Sequence, residues 1–144
     1  MLLVVTNKSD LACDYLILRL KERGIPFLRL NTEDFGRAFQ IDISFDGGPR
    51  CRLTLENGRT VGGDEITGVY FRQPRAPFVP DGTAEMDRLF VQRELKETLR
   101  SLWRLIDARK WLNHPRNLWL ASNKLEQLAV AGGLELRIPE TCVT

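Results

Sequence analysis

The chain has 144 residues, 43% hydrophobic and 28% charged, which is ordinary globular composition with enough length for one domain and a sizeable core. Its 21 lysines and arginines against 19 acidic residues give a net charge of +2, and with no basic or acidic block neither a nucleic-acid nor a membrane surface is demanded. Three widely spaced cysteines, Cys13, Cys51 and Cys142, make no metal motif and no disulfide framework, so the simplest compartment is a reducing cytoplasm.

Residues 1–5 are apolar but too short for a membrane span, and they lack the basic leader and cleavage site of a signal peptide. The β-branched run over 2–5 predicts a buried parallel strand. Thr6-Asn7-Lys8-Ser9-Asp10 turns the chain, and Ser9 or Asp10 can cap the helix that follows. In it Leu11, Tyr15 and Leu18, with Leu16 and Ile17, recur at helical spacing. Arg19, Lys21 and Arg23 suit its carboxyl end, and Gly24 stops it. Residues 26–30 predict a second strand, completing a right-handed βαβ unit.

The pattern then changes from helical to alternating. Ile41, Ile43 and Phe45 share one strand face, as do Cys51, Leu53 and Leu55, and Asp46-Gly47-Gly48-Pro49 and Glu56-Asn57-Gly58 are turn chemistry. This predicts an antiparallel meander with Thr60-Val61 as a short third strand. Residues 66–71 predict a return to the parallel sheet. Pro74, Pro77 and Pro80 make 72–82 an irregular loop. A long helix is predicted over about 83–107, with Met86, Phe90, Leu95, Leu99, Leu102, Trp103 and Ile106 along one side. Trp111-Leu112 is a short extended piece, and Asn113 is a candidate cap with Pro115 near the first helical position. A last helix spans about 123–131 and ends at Gly132-Gly133. Residues 138–144 predict the start of another strand, which suggests an excerpt of a longer protein.

Four places carry candidate chemistry. The polar loop Thr6–Asp10 ends the first strand, where ligands of open α/β sheets gather; without glycine it is no phosphate loop, so it is either a capped turn or, through Asn7, a peptide contact. Arg72 and Arg75 flank Pro74 directly after a strand, and a guanidinium grips a carboxylate bidentately. They can hold an acidic peptide side chain, or Arg72 can pair within its own domain. His114, the only histidine, has no partner for a metal or a catalytic triad and reads as a capping residue. Lys124 sits in the first turn of a helix, unfavourable for the dipole unless it meets an anion such as phosphate, although a solvated lysine is the commoner case. Trp103, Trp111 and Trp119 read as core or interface anchors.

The order of these motifs resembles the N-terminal domain of ATP-grasp ribosomal peptide maturases of the microviridin (graspetide) type. The matching stretches are Val4-Val5-Thr6-Asn7 with Asp10, Leu18-Arg19-Leu20, Arg29-Leu30-Asn31-Thr32-Glu33, Tyr70-Phe71-Arg72-Gln73-Pro74, Trp111-Leu112-Asn113-His114-Pro115, Asn123-Lys124-Leu125 with Gln127-Leu128, and Ile138-Pro139-Glu140-Thr141. The resemblance implies an α/β pre-ATP-grasp (Rossmann-like) domain over 1–112: a mostly parallel sheet with an antiparallel meander insert and flanking helices. It implies that 113–144 are linker helices and a first strand leading into an ATP-grasp core beyond Thr144. The whole enzyme would use ATP and magnesium to phosphorylate a Glu or Asp side chain of a ribosomal precursor peptide. A Ser, Thr or Lys side chain would then close an ester or amide ring. By the same resemblance Lys124 matches a lysine that reaches the nucleotide phosphates, and Arg72 contacts the peptide or the adjoining core. The excerpt alone is expected to be inactive and to bind no cofactor stably; a homodimer is a further expected partner state. Departures from the family pattern are Asn123, where many relatives carry Asp, Gln73, where some carry arginine, and Glu135, near a usual glycine that Gly132-Gly133 would replace.

Overall fold

The computed structural model describes residues 1–142 and divides the chain into two units that meet at Leu112 and Asn113. The first unit holds a four-stranded sheet in the order β2-β1-β6-β7, built from β1 (Leu2–Thr6), β2 (Phe27–Asn31), β6 (Gly68–Phe71) and β7 (Trp111–Leu112). All its pairings are parallel. It also holds a three-stranded antiparallel sheet of β3 (Phe39–Ser44), β4 (Arg50–Leu55) and β5 (Thr60–Gly62). The fold is therefore the expected mostly parallel α/β sheet with a meander inserted between β2 and β6.

Strand order dictates where the helices go. From β1 the chain moves outward to β2 through α1 (Leu11–Glu22); from β6 it moves outward the other way to β7 through α2 (Glu85–Leu105). Two right-handed crossovers in opposite directions put their helices on opposite faces. Side chains agree. Val4 packs with Cys13 and Leu20 of α1, while Phe71 meets Trp103 of α2 edge-on at 5.8 Å and Trp111 at 6.0 Å. Leu3, Val5, Val69, Leu99, Leu102 and Trp103 are all buried. The apolar β-branched strand and the Asp10 cap are what place these elements.

Several positions differ from the sequence expectation, each for a geometric reason. Met86 and Phe90 are exposed rather than continuous with Leu99 and Leu102. Met86 lies nine residues before Leu95, two and a half helical turns at 100° per residue, so it falls on the opposite side. On α1 the buried residues are Cys13, Ile17 and Leu20, whereas Leu11, Tyr15 and Leu18 look outward. Phe45 is exposed beyond the end of β3, and Phe39 begins the strand as a buried residue stacked on Phe35.

The second unit contains α3 (Pro115–Ala121) and α4 (Lys124–Gly133). His114, not Asn113, caps α3, its Nδ1 accepting from the Arg116 amide, and Asn113 adopts a left-handed φ of 62°. Gly132 and Gly133 do not stop α4; they lie within it. The stop follows, where the Leu136 amide donates to the Ala131 carbonyl and the Glu135 amide to the Gly132 carbonyl, with Glu135 at a φ of 57°. This is a Schellman ending with glutamate at the left-handed position that usually takes glycine. Residues 138–142 form no strand; Val143 and Thr144, the rest of that expected element, lie outside the described residues. No described helix is long and apolar enough to cross a membrane.

Candidate functional site at the switch point of the sheet

The chain reverses its direction of travel across the sheet between β1 and β6, and open α/β sheets bind ligands at the carboxyl ends of such strands. There β1 delivers Thr6, Asn7 and Asp10, and β6 delivers Arg72 and Gln73. Val5 registers with Phe71, so the two loops leave the sheet side by side.

Asp10 is the centre. Its side chain is 2% exposed. Oδ2 accepts from the Thr6 hydroxyl at 2.8 Å and lies 3.1 Å from Arg72 Nε; Oδ1 accepts from the Cys13 amide at 3.2 Å, capping α1. Burial pushes the carboxyl pKa up, but the hydrogen bonds from Thr6, Cys13 and Arg72 outweigh it and hold the group at about 2. The same pairing raises the Arg72 pKa, with a smaller contribution from the Tyr70 phenol. Arg72 is still 38% exposed, and no carboxylate besides Asp10 pairs with it among the described residues.

Asn7 locks the two loops together. Its Oδ1 accepts from the Ser9 amide at 2.9 Å and its Nδ2 donates to the Gln73 carbonyl at 2.7 Å. Gln73 sits at a φ of 46°, a left-handed conformation costly for a non-glycine residue before proline. The Asn7 bond holds that turn, which sets where Arg72 and Arg75 emerge. Thr32 donates to the Arg75 carbonyl at 2.6 Å, tying in the end of β2, while the Arg75 side chain is exposed.

Around this centre runs a charged rim that sequence reading missed. Arg29 pairs with Asp14 and donates to the Asn7 carbonyl at 2.7 Å. Asp34 accepts from both Lys8 (2.6 Å) and Arg37 (2.8 Å). Burial pushes the Asp34 pKa up, but Lys8, Arg37 and Asn31 outweigh it and the net shift is down. Glu33 Oε1 accepts from the Lys8 amide at 2.7 Å, and its buried Oε2 has no partner. Apart from Asp34–Arg37, three positions apart, these partners lie 15 to 26 positions apart, so no local spacing signals them. Only the adjacency of β1 and β2 does.

Thus Asn7, Arg72 and Arg75 share one edge of the first unit. Lys124 belongs to the second, at the first position of α4 behind the Asn123 cap, with Nζ donating to Gln127 Oε1 at 3.2 Å. A separate concavity of about 750 Å³ beside the meander gathers Arg50, Arg52 and Lys110 with Asp42, Asp64 and Asp107. Its charges balance, so it offers an anion no net attraction.

Residues 1–118 match the MvdD pre-ATP grasp domain. The chain belongs to that family. Among solved structures, the macrocyclase MdnB from Microcystis aeruginosa MRC is 25% identical with a TM-score of 0.85, covering 96% of this chain and 46% of MdnB. The macrocyclase MdnC from the same source, bound with the precursor peptide MdnA, is 23% identical with a TM-score of 0.86 over 96% of this chain and 45% of its own. A Chryseobacterium gregarium RiPP-associated ATP-grasp ligase, in complex with ADP and a leader and core peptide, is 23% identical with a TM-score of 0.81 over 98% and 43%. The pre-ATP-grasp chain therefore spans less than half the length of each of these relatives. No curated protein matches it.

The switch-point edge does not itself offer a phosphate site. The one helix start at the switch point is already occupied by the Asp10 carboxylate, which takes the amide an incoming phosphate would need. No group of three potential metal ligands occurs among the described residues.

Proposed function

We propose that this pre-ATP-grasp domain is the substrate-side part of an ATP-dependent ligase that cross-links side chains of a ribosomally made precursor peptide. In this reading the switch-point edge holds an acidic side chain of that peptide. The carrying observation is Arg72. Its Nε is fixed on a buried, fully ionised Asp10, which orients the fork, while the guanidinium stays open to solvent and pairs with no second carboxylate among the described residues. A guanidinium anchored through Nε keeps its two terminal nitrogens as a pre-set clamp for a carboxylate. Asn7 positions the clamp through Gln73, and Arg75 adds exposed positive charge nearby. Support also comes from the relatives, two of which were solved with precursor, leader or core peptides.

In the full-length enzyme ATP and magnesium would supply phosphoryl transfer to the peptide carboxylate. The residues of this chain contribute binding and orientation, and Lys124 is the one assigned to the nucleotide phosphates. Calorimetry on the full-length protein tests both assignments. Arg72→Lys keeps the charge but loses the fork, and should weaken precursor binding about tenfold, equivalent to about 1.4 kcal/mol. Nucleotide affinity should be unchanged in that variant and reduced in Lys124→Ala. Equal precursor affinity in Arg72→Lys and the parent, with the fold intact by thermal unfolding, removes Arg72 from the site.

A further inference from the structure

All-parallel sheets are found with both faces covered. The face bearing Phe71 is closed by α2. The opposite face is closed by α1 on the β1 side, where Val4 packs with Cys13 and Leu20. Over β6 and β7 it leaves a mainly apolar cleft of about 370 Å³. Leu16 of α1 lines one side and Leu112 of β7, 61% exposed, the other. Gly68 and Tyr70 make the floor. Gly68 leaves it open, since a Cβ there would already stand 3.4 Å from the Leu2 side chain. Lys110 lies beside Gly68 at the amino end of β6, with its ammonium bonded to the Gly63 carbonyl at 3.4 Å.

At its other end the cleft runs toward Arg72. The ladder between β1 and β6 continues one residue past Phe71, the Arg72 amide donating to the Val5 carbonyl at 2.9 Å. Residues two apart in a strand share a face and lie about 6.7 Å apart. Tyr70 and Arg72 do so. Tyr70 packs against the Val4, Cys13 and Leu20 cluster, and Arg72 reaches the Asp10 that caps α1. The Tyr70 phenol lies near enough to Arg72 to help raise its pKa, and Leu112 stands in register beside Tyr70. Guanidinium and cleft thus form one continuous surface, charged at the carboxyl end of β6 and apolar below it.

An extended peptide presents alternate side chains on one face at that same spacing. We propose that the cleft over β6 and β7 receives an apolar side chain, aromatic or branched aliphatic, two residues from the acidic side chain that Arg72 holds, with the peptide extended along β6. The subsite presupposes that Arg72 holds a peptide carboxylate, and it decides which one. A guanidinium alone does not distinguish one acidic residue of a peptide from another. An apolar neighbour at fixed spacing does, because a charged residue in its place would be desolvated against Leu16 and Leu112.

Calorimetry of the full-length protein with its precursor peptide tests this. Apolar residues two positions from each Asp or Glu of the peptide are changed to Ala one at a time. One such change should raise the Kd of the parent about tenfold, and that of Leu112→Ser by less than about threefold, because the wall it packs on is already gone. Leu112→Trp, which fills the cleft and keeps its wall apolar, should weaken the unmodified peptide about tenfold as well. Weakened binding in Arg72→Lys with no peptide residue coupled to Leu112 overturns the subsite and leaves the clamp standing. Arg72→Lys without effect removes the clamp and the subsite with it. A Leu112→Ser protein of lower thermal stability but unchanged precursor affinity assigns the cleft to the rest of the full-length chain and also overturns the proposal.

Discussion

At the carboxyl edge of the four-stranded sheet the polar groups largely satisfy one another: Thr6, the Cys13 amide and Arg72 converge on Asp10, and Asn7 spans the two loops. On the α1-side face the apolar groups remain open, with Leu112 beside an unfilled cleft and Leu11, Tyr15 and Leu18 pointing away from it. The two regions are unfinished in different currencies. One leaves part of a single guanidinium to be satisfied, a directional and charge-selective demand. The other leaves area, which any complementary apolar surface answers. The first suits recognition of a particular side chain, the second suits association.

The sharpest way to break this contrast is at Asp10. Asp10→Ala removes the helix cap, the Thr6 partner and the Arg72 anchor together, and should destabilise the chain by roughly 3 kcal/mol in denaturant unfolding. A loss below about 0.5 kcal/mol would show that the edge is not an organised network.

Acid should unpick the edge in the same way with smaller effect. Asp10 is held at about 2 in the folded chain against an ordinary 3.8. A carboxyl depressed on folding adds stability above the higher value, which drains away as pH falls from about 4 to 2, close to 2 kcal/mol in all. Asp34, also lowered, acts in the same direction. Unfolding free energy measured across that interval should fall, and the fall should shrink in Asp10→Ala. A slope that is the same in both would detach it from Asp10.

The smallest expected effect lies outside both regions and serves as a control. Glu135→Gly relieves the left-handed residue after α4 and should stabilise by about 0.5 to 1 kcal/mol, without changing peptide affinity. Destabilisation on thermal unfolding would contradict the Schellman reading of that ending.

What the sequence makes legible follows from the range of the interactions. The β1–α1–β2 unit is readable because a β-branched run, an Asp cap and Gly24 act within a few residues. The meander is readable because alternation is local. The inward face of α2 is not legible at Met86, because apolar residues lie on two sides of this long helix and share a helical spacing. The ending of α4 is misread because Gly132 and Gly133 are obvious helix stoppers, whereas the left-handed residue is Glu135. Arg72 and Asn7 are visible as polar residues following strands. Their division of labour is not, since the Asp10–Arg72 pair exists only once β1 and β6 lie side by side.

A double-mutant cycle measures whether the Arg72 fork meets a peptide carboxylate. Precursor peptide with its candidate Glu and Asp side chains changed one at a time to Gln or Asn is titrated into full-length parent and Arg72→Lys protein. One acidic position should show a coupling of about 1 kcal/mol or more, its neutralisation weakening the parent but adding little once the fork is gone. Full additivity at every acidic position, with the variant folded, would contradict the assignment of Arg72 to the peptide.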